Sequence, residues 1–161
     1  MANITPARVA DNYAELYPGG DAQATECSMN LLQVSDLLLG NVAGLIKPYD
    51  VTPASGLVLS ILRDADGPLA PNQIAERLIV SRATVTGLVD SLERRKLVKR
   101  RAHPTDRRMV LVEITERGRE VTDIFRPLVH RHERDWLAGL TASEKTTLLA
   151  LLARVQAGLV E

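Results

Sequence analysis

The stretch SRATVTGLVDSLERRKLVKRRAHPTDRRMVLVEITER, residues 81–117, decides the fold. Its first part has the period of a helix: Val85, Leu88, Val89 and Leu92 recur at i, i+3, i+4 and i+7, a stripe that must bury against other elements. The opposite face carries Arg82, Thr84, Thr86, Asp90 and Ser91, with no bulky aliphatic among them. Ser81 is a good N-cap, so the helix begins where the polar face begins. After Leu97 the period changes from helix to strand. Residues 97–101 and 109–114 read as two strands, the second alternating Val110, Val112 and Ile114 with Leu111 and Glu113. His103-Pro104-Thr105-Asp106-Arg107-Arg108 joins them, and proline followed by an Asx-type residue is a turn signal.

A two-stranded ribbon directly after a polar-faced helix is the order of a winged helix-turn-helix. Short polar groups and one arginine on a helix face are able to approach base edges in a major groove. An arginine-tipped ribbon suits the minor groove, where cationic side chains meet enhanced negative potential. Upstream, Pro71 takes the first position of a short helix over 72–78 whose inner face is Ile74, Ala75 and Leu78. Ile79-Val80 makes the tight turn into Ser81 and completes the helix-turn-helix. Thr52-Pro53 is an N-cap followed by a proline at N1, opening a helix through Leu57, Val58, Ile61 and Leu62 that Asp66-Gly67-Pro68 closes.

The 161 residues carry no net formal charge, but the charge is unevenly spread. Residues 77–108 hold ten Lys and Arg against three acids, a net of +7, whereas residues 1–76 are at −6 and residues 109–161 at −1. A single basic block in a balanced chain directs that block at phosphate. Aromatic residues make up only 3%, which argues against single-strand binding by base stacking. An enzyme is not expected: Ser55, Ser60 and Ser143 lack nucleophile-elbow surroundings, and no glycine-rich phosphate loop is present. No cofactor motif occurs. His130 and His132 stand at i and i+2, about 200° apart on a helix, so they do not share a metal ion with Glu133.

The remaining segments are long helices. Residues 24–46 form a helix whose leucines cover too wide an arc for one buried stripe in a monomer. Thr115 caps a helix over 116–140 that contains Pro127, where a kink is expected. Thr141-Ala142-Ser143-Glu144 is a capping box for a last helix over 142–160. These helices lack a core of their own, and pairing with a second copy would bury them, giving a homodimer. Residues 1–22, with Pro6, Pro18, Gly19 and Gly20, form an N-terminal arm. The apolar run from Leu31 to Ile46 is broken by Gln33, Asp36 and Asn41, so no membrane span is expected. No secretory signal is visible, and the lone Cys27 fits a reducing cytoplasm.

The segments IAERL, VSRATVTGLVDSLERRKLVKR and PTDRRMVLVEITERG, in this order of elements, resemble the multiple-antibiotic-resistance regulator (MarR) family of bacterial transcription factors. The resemblance covers residues 24–160 and is sharpest at Asp106, Arg108 and Thr115. It implies a mainly α fold with a small β wing: a MarR-type domain over 23–161, its winged helix-turn-helix at 53–115 and its dimerisation helices at 24–46, 116–140 and 142–160. It further implies a repressor of double-stranded DNA with a palindromic operator. Arg107 or Arg108 would enter the minor groove, with Asp106 orienting one of them, while Ser81, Arg82, Thr84 and Thr86 meet the major groove or its phosphates. Three positions depart from the family pattern: Lys96 replaces a glycine that often ends the recognition helix, and Gly87 and Ser91 replace arginines. Base readout therefore leans on Arg82 and on DNA shape. Relatives bind small phenolic or anionic effectors in a cleft between the dimerisation helices and the DNA-binding lobe. Cys27 lies where a peroxide-sensing branch keeps its reactive cysteine, but the tyrosines of that branch are absent around residues 52–56, and a buried or merely tolerated thiol is expected. A winged-helix module that contacts an acidic protein is the remaining alternative.

Overall fold

The computed structural model describes residues 5–106 and 109–159. After a short helix α1 (Tyr13–Leu16) come α2 (Ala22–Ile46), a 3-10 turn at Lys47–Tyr49, α3 (Pro53–Asp64), α4 (Pro71–Leu78) and α5 (Arg82–Arg94). Strands β1 (Val98–Ala102) and β2 (Val110–Ile114) follow, then α6 (Glu116–Trp136) and α7 (Ala142–Leu159).

Side-chain caps set most helix starts, as short polar residues before an apolar period should. Thr52 Oγ1 accepts from Ser55 N–H at 3.2 Å, Ser81 Oγ from Thr84 N–H at 3.1 Å, and Thr115 Oγ1 from Gly118 N–H at 3.0 Å. Thr141 and Glu144 form the reciprocal box: Thr141 N–H donates to Glu144 Oε2 at 2.7 Å and Glu144 N–H to Thr141 Oγ1 at 3.3 Å. The strands pair antiparallel from Val98 opposite Ile114 to Ala102 opposite Val110. Leu69 adds a third, one-residue rung through two backbone bonds with Val112, which ties the ribbon to the chain just ahead of α4.

One core lies under this lobe. Val58, Leu59 and Leu62 of α3, Ile74 of α4, Val85, Val89 and Leu92 of α5, Val98, Val112 and Ile114 of the ribbon and Phe125 of α6 are all buried in it. Gly118 is needed where α6 begins, since a Cβ there would overlap the Leu97 carbonyl and stand 2.8 Å from Ile114 Cγ1. Two reciprocal ion pairs lock α3 to α6: Arg63 on Asp123 at 2.8 Å, and Arg126 on Asp64 at 2.5 and 2.7 Å. By contrast, α2 buries only Ile46, and α7 buries no residue.

Several boundaries differ from those read in the sequence. β1 starts at Val98, because Leu97 N–H still bonds to Leu92 O at 3.0 Å in the turn that ends α5. α6 stops at Trp136 rather than 140, the chain beyond it tightening into three-residue turns such as Leu140 N–H to Leu137 O, and it runs through Pro127 without interruption. Cys27 is exposed on α2, not buried, so it fills no helix-packing volume. Within the segment Ala22–Tyr49 an 18-residue window has a mean hydropathy of 1.3, so the helix is, by length and composition alone, apolar enough to cross a membrane despite its scattered polar residues. The arm is docked rather than loose. Ala7 N–H donates to Asn30 Oδ1 at 2.9 Å, Asn30 Nδ2 returns a bond to Ala7 O at 3.0 Å, and Tyr13 and Thr25 hydroxyls meet at 2.9 Å.

Candidate nucleic-acid interface

The amphipathic period of α5 turns Val85, Val89 and Leu92 inward, which leaves Ser81, Arg82, Thr84 and Thr86 exposed together on the other side. Their hydroxyls are already ordered by local bonds. Ser81 Oγ and Thr84 Oγ1 lie 2.8 Å apart, and Thr86 Oγ1 donates to Arg82 O at 3.0 Å, so each hydroxyl oxygen keeps acceptor capacity toward solvent or a ligand. Arg82 has no partner among the described residues. It borders a shallow cavity of about 400 Å³ together with Asn72 at the start of α4 and Met109 and Val110 at the foot of β2. α4, α5 and the wing thus share one edge.

At this same end of the ribbon, the ring of His103 organises the turn. Its Nδ1 accepts the N–H groups of Thr105 at 3.3 Å and Asp106 at 3.2 Å, while Asp106 O accepts Met109 N–H at 3.0 Å. Nothing in the local pattern singles out His103, yet it caps the loop that leads into the two arginines. Arg107 and Arg108 themselves lie outside the described residues, and Asp106 is described at the edge of that gap.

The basic block is less free than its count suggests. Arg100 reaches from β1 to α5, donating to Asp90 Oδ1 at 2.6 Å and to the Glu93 carboxylate, and its own N–H bonds to Glu93 Oε1 at 3.0 Å. The Asp90 and Glu93 carboxylates hold its guanidinium above the usual range, and they fix the ribbon to the recognition helix. Asp90 therefore belongs to this clamp rather than to the open face. Across the ribbon, Glu113 takes Arg101 at 2.9 Å and Lys99 at 3.4 Å. Partial burial works to raise that carboxyl, but the two cations hold it below its ordinary value. Arg95 at the end of α5 pairs with Asp50 at 3.2 Å, linking α5 to the joint between α2 and α3. Within residues 77–106, Arg77, Arg82, Arg94 and Lys96 have no partner among the described residues, so the field is carried by these positions.

Among the residues that sequence reasoning missed are Asn72, Arg95 and Arg100. Asp90 and Glu93 stand one turn apart on α5, a pair of acids inside a basic block, and that was the one local sign of a clamp.

Comparison with known proteins agrees with this geometry. Residues 49–109 match the model of the MarR family. The HTH-type transcriptional repressor YetL of Bacillus subtilis is 32% identical over 116 residues, which cover 71% of this chain and 70% of that protein. The S. aureus MepR–DNA complex superposes with a TM-score of 0.76 at 25% identity, covering 82% of this chain and 96% of MepR. CouR of Rhodococcus jostii, bound to p-coumaroyl-CoA, superposes with a TM-score of 0.74 at 25% identity over 84% of this chain and 95% of CouR. With its winged helix-turn-helix and this extent of similarity on either side of it, the chain belongs to the MarR family of transcriptional regulators.

Proposed function

We propose that the chain acts as a homodimeric repressor that binds a palindromic operator and is released by a small phenolic or anionic effector. The observation that carries this reading is the exposed polar face of α5, with Arg82 unpaired among the described residues, on the same edge as the wing. In this mechanism Arg82 reads a base edge, Ser81, Thr84 and Thr86 meet phosphates or bases, and Arg107 or Arg108 enters the adjacent minor groove with Asp106 orienting one of them. The Arg100 clamp makes helix and wing dock as one body. A second copy supplies the other half-site and covers the leucines of α2 and α7, and the two half-sites then lie about one helical turn apart.

The effector reading is supported at the joint between α2 and α3. Two cavities flank the Arg95–Asp50 pair, one of about 360 Å³ bordered by Lys47 and Pro53, the other of about 230 Å³ bordered by Tyr49, Arg94, Lys96 and Arg117. An anion there has several cations to meet and competes with Asp50 for Arg95, which sits at the end of the recognition helix. CouR was solved with a ligand that is both phenolic and anionic, of the same chemical class.

Exposure of Cys27 favours a second reading, thiol sensing. Against it, the tyrosines that the peroxide-sensing branch keeps beside its sulfur are absent from residues 52–56, and Glu26 next to Cys27 is already paired with Arg8 at 2.7 Å, which leaves that cation engaged. An organic hydroperoxide should therefore leave operator complexes of wild type and Cys27→Ser equally intact; release of the wild type alone would establish the thiol switch. The DNA reading is tested by titrating operator duplex across salt concentrations. Arg82→Ala should weaken binding, and replacing Arg107 and Arg108 together by alanine should also lower the salt slope by roughly one per lost contact. Unchanged affinity in both variants would refute the assignment.

A further inference from the structure

Ile79 ends α4 with φ 54° and ψ 48°, in the left-handed region. The tight turn requires that backbone: Ile79 N–H bonds to Glu76 O at 3.4 Å and Val80 N–H to Ala75 O at 3.2 Å, closing the last carbonyls of α4. Nothing in the turn requires the side chain. Glycine adopts this conformation freely and asparagine with little strain, whereas a β-branched residue there is an outlier. The isoleucine also gains nothing from packing, since it is 63% exposed and stands outside the buried core. Strain of this kind persists where function uses it.

Its position shows what that use is. Ile79 and the half-exposed Val80 immediately precede Ser81 and Arg82, and all four border one shallow cavity of about 470 Å³ with Asn72 and Glu76. An apolar side chain is thus set beside the unpaired arginine at the leading end of the recognition helix, within the stretch of net positive charge. The one apolar group that a major groove presents is the C5 methyl of thymine. We propose that Ile79, with Val80 beside it, is a specificity-determining residue that packs on a thymine methyl next to the base or phosphate that Arg82 contacts. The proposal rests on the reading that α5 enters the major groove.

The experiment begins with the duplex that the wild-type protein selects from a random DNA library. Each dT of the half-site is then replaced singly by dU, which removes only the methyl, and binding is measured for wild type, Ile79→Gly and Ile79→Asn. Wild type should lose about fourfold at one or two positions, the worth of a methyl-sized group returned to water. Both variants should bind dT and dU duplexes equally, and Ile79→Gly should melt at a higher temperature than wild type because the turn is relieved. The proposal is overturned if no dU position weakens wild type, or if Ile79→Gly keeps the same dT preference. Selection of no duplex at all would instead remove the underlying DNA reading, and the Ile79 assignment with it.

Discussion

Between Val51 and Ile114 almost every element gives an apolar stripe to one core, while α2 buries Ile46 alone over 25 residues and α7 buries nothing over 18. The long helices are the richer of the two in leucine and isoleucine, yet the arrangements are opposite. In the lobe the stripes converge: α3, α4, α5 and the ribbon each turn theirs into the one core. On α2 and α7 they diverge, leaving Leu32, Leu37, Leu39, Leu149 and Leu159 in solvent. Exposed leucines in this number on two long helices are what a protein–protein interface would cover. The lobe can hold its own shape, and the long helices need a second surface, which the proposed partner copy supplies.

The sharpest way to break this contrast is to damage each region separately. Leu59→Ala or Leu92→Ala, both at fully buried positions, should cost about 2–5 kcal/mol in urea unfolding whatever the protein concentration. Gly118→Ala should be comparably severe, because the added Cβ has no room against the Leu97 carbonyl. Leu149→Glu on α7 should instead leave the intrinsic fold of the lobe intact by near-native circular dichroism while shifting the assembly toward monomer and abolishing the dependence of melting temperature on concentration. Equal behaviour of the two classes would erase the distinction.

Smaller effects sharpen it. Lys96 follows α5 with φ 59°, a position that suits glycine, so Lys96→Gly should stabilise the lobe by about 1 kcal/mol through relief of the left-handed backbone. The same substitution removes one unpaired cation of the basic field, so its gain in stability should come with a modest loss of DNA affinity at low salt.

The ion pairs between α3 and α6 should respond to acid. Arg63 holds the Asp123 carboxyl, and Arg126 the Asp64 carboxyl, below their ordinary values. A carboxylate depressed in the folded state stabilises above its unfolded pKa of about 4, and that contribution is lost as pH falls through the lower folded value. The difference in unfolding free energy between wild type and Asp123→Asn should therefore shrink as pH falls from the unfolded pKa through the lower folded one, with the exposed setting keeping it small throughout.

Local chemistry made much of the molecule legible. Ser81, Thr115 and Thr52 announced helix starts because a cap acts within three residues, and the stripe Val85, Val89 and Leu92 announced a buried face because its period is a property of the helix itself. The contacts that organise the site act over longer separations. Arg95 finds Asp50 across 45 positions and Arg63 finds Asp123 across 60, and no periodicity encodes such pairs. The strained Ile79 escaped for another reason: sequence placed the turn correctly but not the sign of φ that the turn demands. Of the two alternatives for Cys27, buried or merely tolerated, exposure leaves the second, and apolar residues nearly all round α2 gave no indication of which side is covered.

Sedimentation equilibrium at micromolar concentration, alone and with the selected operator duplex, tests the central claim most directly. The account predicts twice the chain mass for the free protein at low and high salt, and two protomers on each palindromic duplex. A species of single-chain mass in both salts, or one protomer bound per duplex, would contradict it.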